Sequence, residues 1–289
     1  MTHGTETDEV TGTDTTGHEW DGIKELNTPL PRWWLLTWYA TILWAIGYWI
    51  VMPAWPYLTG YTQGVIGYSQ RAVVAADIAE ARAAQASYFD RIEKLSLAEI
   101  AGDAELRDFA VAGGRSAFAV NCSQCHGQGA AGSKGDPNLN DDDWIWGGTA
   151  DAIHTTIRAG IRADHDDTRF SQMPAFAKDE ILEKEQIDQV VEYVLAVSGQ
   201  ENDKVKAEAG KAVFDENCTD CHGKDAKGNR EQGGPNLTDA LWLFGGERAE
   251  IQQTIETSRF GVMPAWQGRL SDATLKQLAI YVHGLGGGE

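Results

Sequence analysis

The chain has 289 residues, with 43 Asp and Glu against 24 Lys and Arg, a net charge of −19. That length suggests about two domains. The charge speaks against a nucleic-acid partner, because phosphate recognition needs clustered Lys and Arg.

Residues 1–32 are polar, acidic and rich in Thr and Gly, and read as a disordered lead. The next run, "WWLLTWYATILWAIGYWIVMPAWPYL" at 33–58, has no charged residue and holds six of the eleven Trp. As a helix it would be about 39 Å long, enough to cross a hydrocarbon core of about 30 Å. Trp33, Trp34 and Trp38 near one end and Trp55 and Tyr57 near the other suit the two membrane interfaces. Pro53 and Pro56 mark where the helix loosens or ends. A cleaved leader would start basic and short, so this segment reads as an uncleaved membrane anchor among lipid. Lys24 and Arg32 before it, against Arg71 after it, give only a weak orientation signal.

Residues 59–112 are rich in Ala and charge and read as a helical stalk or linker. Beyond 113 the chain repeats itself. "GRSAFAVNCSQCHG", "GDPNLNDDDWIWGG", "IHTTIRAG" and "MPAF" return in the same order as "GKAVFDENCTDCHG", "GGPNLTDALWLFGG", "IQQTIETS" and "MPAW". Each copy closes on a helical pattern with a late Tyr. The expected organisation is therefore a duplicated small helical domain, 113–199 and 207–289, joined by a polar linker at 200–206. Domains this small have thin cores and often need a stapled cofactor or metal.

The chain's four cysteines form two C-x-x-C pairs, each followed by His. A thioredoxin-like redox pair would need a βαβ context, and only helices and loops are expected here. A structural disulfide would leave each His unexplained. A zinc site would usually bring its pairs within about 15–20 residues, yet Cys125 and Cys218 stand 93 positions apart. C-x-x-C-H is the haem c attachment signature. Thiols one helical turn apart reach the two vinyl edges of a porphyrin, and the adjacent imidazole faces the iron. Cys122, Cys125 and His126 are thus expected to hold one covalent haem c, and Cys218, Cys221 and His222 a second.

The second axial ligand follows from scarcity. Of four Met, Met1 starts the chain and Met52 lies in the anchor; Met173 and Met263 both sit in "MPA", at matched places in the repeat. A thioether opposite His gives a six-coordinate, electron-transferring iron of raised potential. His154, His165 and His283 are weaker rivals. His165 lies in a stretch that lengthens the first copy, since His126 to Met173 spans 47 residues and His222 to Met263 only 41.

These residues resemble the class I cytochrome c family. The resemblance implies an all-α fold in which a Gly and an aromatic four residues on cross a C-terminal helix bearing a Tyr. Taken copy by copy, that pairs Gly114 and Phe118 with Tyr193, and Gly210 and Phe214 with Tyr281. It also implies that the carbonyls of Pro137 and Pro235 receive the proximal imidazole protons. One Trp-rich transmembrane helix, a stalk and two tandem cytochrome c domains together resemble the CcoP/FixP family, the dihaem subunit of cbb3-type cytochrome c oxidase. What that implies is an electron-transfer subunit in a bacterial inner membrane, with a cytoplasmic N-terminus and periplasmic haem domains. Its electrons would come from a donor cytochrome c and pass to a monohaem cytochrome c subunit and a haem–copper catalytic subunit. No catalytic residue is expected on this chain. Alternatives are a membrane-anchored dihaem carrier, a dihaem subunit of another respiratory complex, a dihaem peroxidase and a haem-based gas sensor. The last two need an exchangeable ligand. Asp141, Asp142 and Asp143, with Asp164, Asp166 and Asp167, read either as a negative rim that steers a basic cytochrome c or as ordinary solvated loops.

Overall fold

The structure, a computed structural model, describes residues 6–289. It divides into two compact units, one ending at Ala83 and the other spanning Ala84–Glu289.

The lead is not without structure. Strands β1 (Thr15–Trp20) and β2 (Ile23–Leu26) form an antiparallel hairpin. Its two-residue turn, Asp21–Gly22, has positive φ at both positions, 50° and 84°. That is the backbone a tight hairpin requires, and Asp-Gly is the dipeptide best suited to it. Disorder, expected from polarity alone, is corrected here by a turn signal that composition does not register.

Helix α1 (Arg32–Val51) is the apolar run, with no buried side chain. At 20 residues it is about 30 Å long, matched to a hydrocarbon core. It is shorter than the expected 33–58. The chain turns at Pro53 into a small hairpin, β3 (Pro56–Tyr57) with β4 (Gly60–Tyr61). The following loop returns to the helix end, where the Val65 amide donates to the Ile50 carbonyl at 3.0 Å. A helix end leaves its last carbonyls unpaired, and this loop satisfies one of them. The expected stalk therefore begins with a hairpin and loop and becomes helical only at α2 (Gln70–Lys94).

The second unit continues with α3 (Leu97–Gly102), α4 (Ala104–Asn121), the one-turn α5 (Ser123–His126), α6 (Ala150–Ala159) and α7 (Lys184–Val197). The second repeat supplies α8 (Lys204–Asn217), the one-turn α9 (Thr219–His222), α10 (Arg248–Thr257) and α11 (Asp272–His283). Side-chain caps set many of the starts. Ser96 with Glu99 opens α3 as a reciprocal box, and Asp103, Thr149, Asp203 and Ser271 cap α4, α6, α8 and α11.

The helices do not pair copy by copy. Helix α4 packs on α11, and α7 packs on α8. One hydrophobic core joins Ile92, Ile100, Leu106, Phe118, Ile153 and Ile157 to Leu275, Leu278 and Ile280. The other joins Phe176, Ile187, Val190, Val191 and Val194 to Val213, Phe214, Ile251 and Ile255. The continuous lobe is thus one stretch of chain, about 173–259. It is inserted into a split lobe made of about 84–169 and 263–289. Phe118 meets Tyr281 at 5.5 Å between ring centroids, and Phe214 meets Tyr193 at 5.0 Å. The expected pairings of Gly114 and Phe118 with Tyr193, and of Gly210 and Phe214 with Tyr281, are corrected accordingly.

A physical reason lies in the connection between α7 and α8. It is only six residues, Ser198–Asp203, and a short connection favours antiparallel neighbours over distant partners. The corner is also bonded. The buried Glu192 carboxylate of α7 accepts from the Asp203 amide at 2.7 Å and pairs with Arg248. The helices approach closely at glycine. A Cβ on Gly114 would overlap the Gln277 backbone, and one on Gly210 would overlap the Gln189 backbone.

Both passages of the chain between lobes meet at Arg162. Its guanidinium donates to the carbonyls of Gly261 and Ser171, each at 2.7 Å, and lies over the Phe260 ring at 5.6 Å. Arg162 itself has a left-handed backbone, φ 53°. It belongs to the stretch that lengthens the first repeat, which gives that extra length a structural use.

Candidate haem c sites

Each Cys-His motif is a single helical turn at the end of a long helix. Cys122 ends α4 and begins α5, and the His126 amide returns to the Cys122 carbonyl at 3.0 Å. In the second copy the His222 amide returns to the Cys218 carbonyl at 2.9 Å. One turn therefore places two thiols and one imidazole together at each end.

The imidazoles are oriented identically. Nδ1 of His126 lies 3.0 Å from the Pro137 carbonyl, and Nδ1 of His222 lies 3.0 Å from that of Pro235. A carbonyl only accepts, so Nδ1 carries the proton and Nε2 keeps its lone pair for a metal. Phe118 and Phe214 each lie 6.4 Å from their His, between centroids. Burial pushes the His222 pKa down, and the bond to Pro235 opposes this. A neutral ring is the form that ligates.

No disulfide joins any of the four cysteines. Burial, then the neighbouring Cys125, pushes the Cys122 thiol up to about 11; burial and Cys221 push Cys218 up to about 12. Both motifs follow a long helix, and neither lies in the βαβ context of a thioredoxin-like pair. The two Cys pairs sit in different lobes. Cys122 packs on one core and Cys218 on the other, so the pairs do not combine into one four-thiolate zinc site.

The structure places the two internal methionines in opposite lobes. Met263 packs against the core that contains Phe118, Ile153 and Ile157. Met173 packs against the core that contains Phe214, Ile251 and Ile255. Two of the rival histidines are engaged elsewhere, while Nε2 of the third, His154, is buried without a hydrogen-bond partner. His165 Nε2 lies 3.0 Å from Gln267 Oε1 while its Nδ1 accepts from the Asp167 amide, and His283 Nε2 lies 2.9 Å from the Glu289 carbonyl. His154 is held below its ordinary pKa by burial and then by Lys276 and Arg158, among charged residues of α6 and α11. Two thiols, a lone-pair Nε2 and a thioether in an apolar lining are the donor set that haem c requires.

Compared with known proteins, residues 12–59 match the family model described as the N-terminal domain of cytochrome oxidase-cbb3, FixP. Residues 109–194 and 205–282 match the model for cytochrome C oxidase, cbb3-type, subunit III. A cbb3-type cytochrome c oxidase subunit FixP from Sinorhizobium medicae (strain WSM419) is 54% identical over 284 residues, 98% of this chain and 97% of that protein. The subunit CcoP of Cereibacter sphaeroides is 52% identical over 276 residues, 95% of each. The subunit FixP of Bradyrhizobium sp. (strain ORS 278) is 52% identical over 290 residues, the full length of both.

The chain belongs to the CcoP/FixP family. Membership makes haem c its cofactor and, with α1 long and apolar enough to span, makes it a membrane-anchored protein. The fold agrees with the family's cytochrome c domains: mostly helical, with few strands.

Two features were missed in the sequence. The Asp21–Gly22 turn was readable as a hairpin signal. Arg162 has no local signature, because its role depends on Gly261, which is 99 residues away in sequence. The acidic stretches also differ from a uniform rim. Asp142 is exposed, Asp143 is partly buried, and Asp167 pairs with Arg158 at 3.1 Å.

Proposed function

We propose that this chain is the electron-transferring, two-haem subunit of a cbb3-type cytochrome c oxidase in a bacterial inner membrane. Its N-terminus lies in the cytoplasm and its Ala84–Glu289 unit in the periplasm, where c-type haems are attached. It takes electrons from a donor cytochrome c and delivers them to a monohaem cytochrome c subunit and a haem–copper catalytic subunit. The observation that carries this reading is the twin arrangement of C-x-x-C-H turns with His Nδ1 held at 3.0 Å by a Pro carbonyl.

When bound, haem c supplies a one-electron couple at its iron. Cys122 and Cys125 would hold one haem and Cys218 and Cys221 the other. Nε2 of His126 and of His222 would ligate the irons. The Pro137 and Pro235 carbonyls fix each ring's tautomer and raise its basicity as a ligand. Met173 and Met263 would provide the thioethers, and a thioether ligand favours the reduced state and raises the potential. Apolar side chains such as Phe118 and Phe214 keep water from the ligands, and a drier site changes little on electron gain or loss. The chain contributes no acid, base or nucleophile to oxygen reduction.

The test is to purify the assembly from membranes through a tag on this chain. The expected preparation contains haem b and copper, oxidises reduced cytochrome c and consumes oxygen. Cys218→Ala with Cys221→Ala should keep the haem b and copper but lose most turnover with cytochrome c. A tagged chain that brings neither haem b nor copper would overturn the assignment in favour of a free-standing carrier.

A further inference from the structure

We infer that Trp146 and Phe244 are positioning residues for electron passage between the two haem sites: each ring crosses into the other lobe and seats against the loop that holds that lobe's motif histidine. The inference rests on the two-haem reading above and goes beyond it, because that reading assigns no residue to the contact between the sites.

The segments "DWIWGG" at 143–148 and "LWLFGG" at 241–246 are equivalent in the repeat. Their first aromatics stay in their own lobes: Trp144 packs on the core of Phe118, and Trp242 on the core of Phe214. Their second aromatics cross. The Phe244 ring lies where a Cβ on Gly135 would touch it at 3.4 Å, and the Trp146 ring lies where a Cβ on Gly233 would overlap it. Both glycines have positive φ, 96° and 61°, so neither position accepts a side chain without strain. Gly135 and Gly233 each stand two residues before the proline whose carbonyl holds Nδ1 of His126 or His222. The contact is therefore reciprocal. The continuous lobe's ring meets the split lobe's proline loop, and the split lobe's ring meets the continuous lobe's.

Each ring is backed from its own lobe by an arginine at a matched place in the repeat. Arg169 lies over Trp146 at 5.4 Å from the ring centroid, and Arg259 over Phe244 at 5.2 Å. Arg169 donates to the Ala152 carbonyl of α6 at 3.2 Å, and Arg259 to the Glu250 carbonyl of α10 at 2.7 Å, which fixes both cations. A guanidinium over an aromatic face holds the ring by attraction to its quadrupole. Polar bonds add to the contact at Gly135: its amide donates to the Leu243 carbonyl at 2.8 Å, and Lys134 pairs with Glu250. Two lobes of one chain move against each other unless their interface prevents it. In the exchange between sites, one electron leaves a ferrous iron, which becomes ferric, and reduces the ferric iron of the other site. The rate of that exchange falls steeply with separation, and rings wedged against both proline loops hold the separation constant.

The experiment uses the full-length protein with its haems attached and needs no turnover. Cys125→Ala, present in every sample, leaves one thioether and one conjugated vinyl group, which shifts that haem's α band and separates it from the other. A single electron is delivered to the oxidised protein by pulse radiolysis, and its redistribution between the haems is followed at the two α bands. Trp146→Ala with Phe244→Ala should slow the redistribution several-fold, while each haem's own absorption and midpoint potential stay unchanged. Trp146→Phe, which keeps a ring against Gly233, should retain the fast redistribution. If the double variant matures poorly, Phe244→Leu alone should show the slowing. Redistribution in these variants as fast as in the parent would overturn the positioning role while the two-haem reading stands. Potentials that shift with no change in rate would overturn it equally. A parent chain that carries fewer than two haems would overturn the two-haem reading, and the positioning role with it.

Discussion

At the scale of single residues, the chemistry-bearing side chains are few and their roles follow from scarcity and bonding. The four Cys, the two motif His, Pro137, Pro235 and the two internal Met stand out in the sequence as candidates, because each type is rare or recurs at a matched place. The structure sets Asp143 apart from the other members of the acidic run, which sequence could only treat together. The carboxyl of Asp143 is pushed up to about 6, first by burial and then by Asp239 and Asp141, with Arg230 opposing. An ordinary unfolded Asp titrates near 3.9. Between about pH 4 and 6 the folded chain binds this proton more tightly, so this group's contribution to stability falls as pH rises through that window. Above about 6 the charged form is held in a site that disfavours it. Asp143→Asn should therefore raise the thermal midpoint at pH 7.5 and leave it nearly unchanged at pH 4. Equal effects at both pH values would show that Asp143 is not desolvated as described.

At the scale of elements, the hydrophobic anchor, the repeat and the helical character of both copies were readable from composition and period. The exchange of helices was not. Helices α7 and α11 carry the same pattern and the same Tyr, so each satisfies either partner's requirements on paper. What decides is the short Ser198–Asp203 corner and the Glu192–Asp203 hydrogen bond, which hold α7 beside α8. The exchange can be measured with aromatic pairs. Stacked or tilted rings at 5.5 Å contribute about 0.5–1.5 kcal/mol beyond their burial. A double-mutant cycle on Phe118→Leu and Tyr281→Leu should therefore show coupling of about 1 kcal/mol in unfolding free energy. The cycle on Phe118→Leu and Tyr193→Leu should be additive within about 0.5 kcal/mol. The reverse pattern would restore the copy-by-copy pairing.

At the scale of the whole molecule, an inserted lobe changes what the chain can lose. A chain ending at residue 199 contains the complete first repeat, yet it lacks Leu275, Leu278 and Ile280 from the core around Phe118. Burying side chains of that kind contributes about 1.5–3 kcal/mol each, and three of them approach the roughly 5–15 kcal/mol that hold a domain together. We expect the truncated chain to expose the split lobe to protease at concentrations that leave the intact chain uncut. Resistance equal to the intact protein would mean that the first repeat folds by itself. Above all, the account requires two covalent haems on one chain, one for each C-x-x-C-H turn. Intact mass spectrometry under denaturing conditions, on protein matured with c-type attachment machinery, tests this most directly. The account predicts a mass increment of two haems for the natural chain. It predicts one haem for Cys122→Ala with Cys125→Ala, and one for Cys218→Ala with Cys221→Ala. An increment of one haem on the natural chain, or an unchanged increment in either double variant, would contradict it.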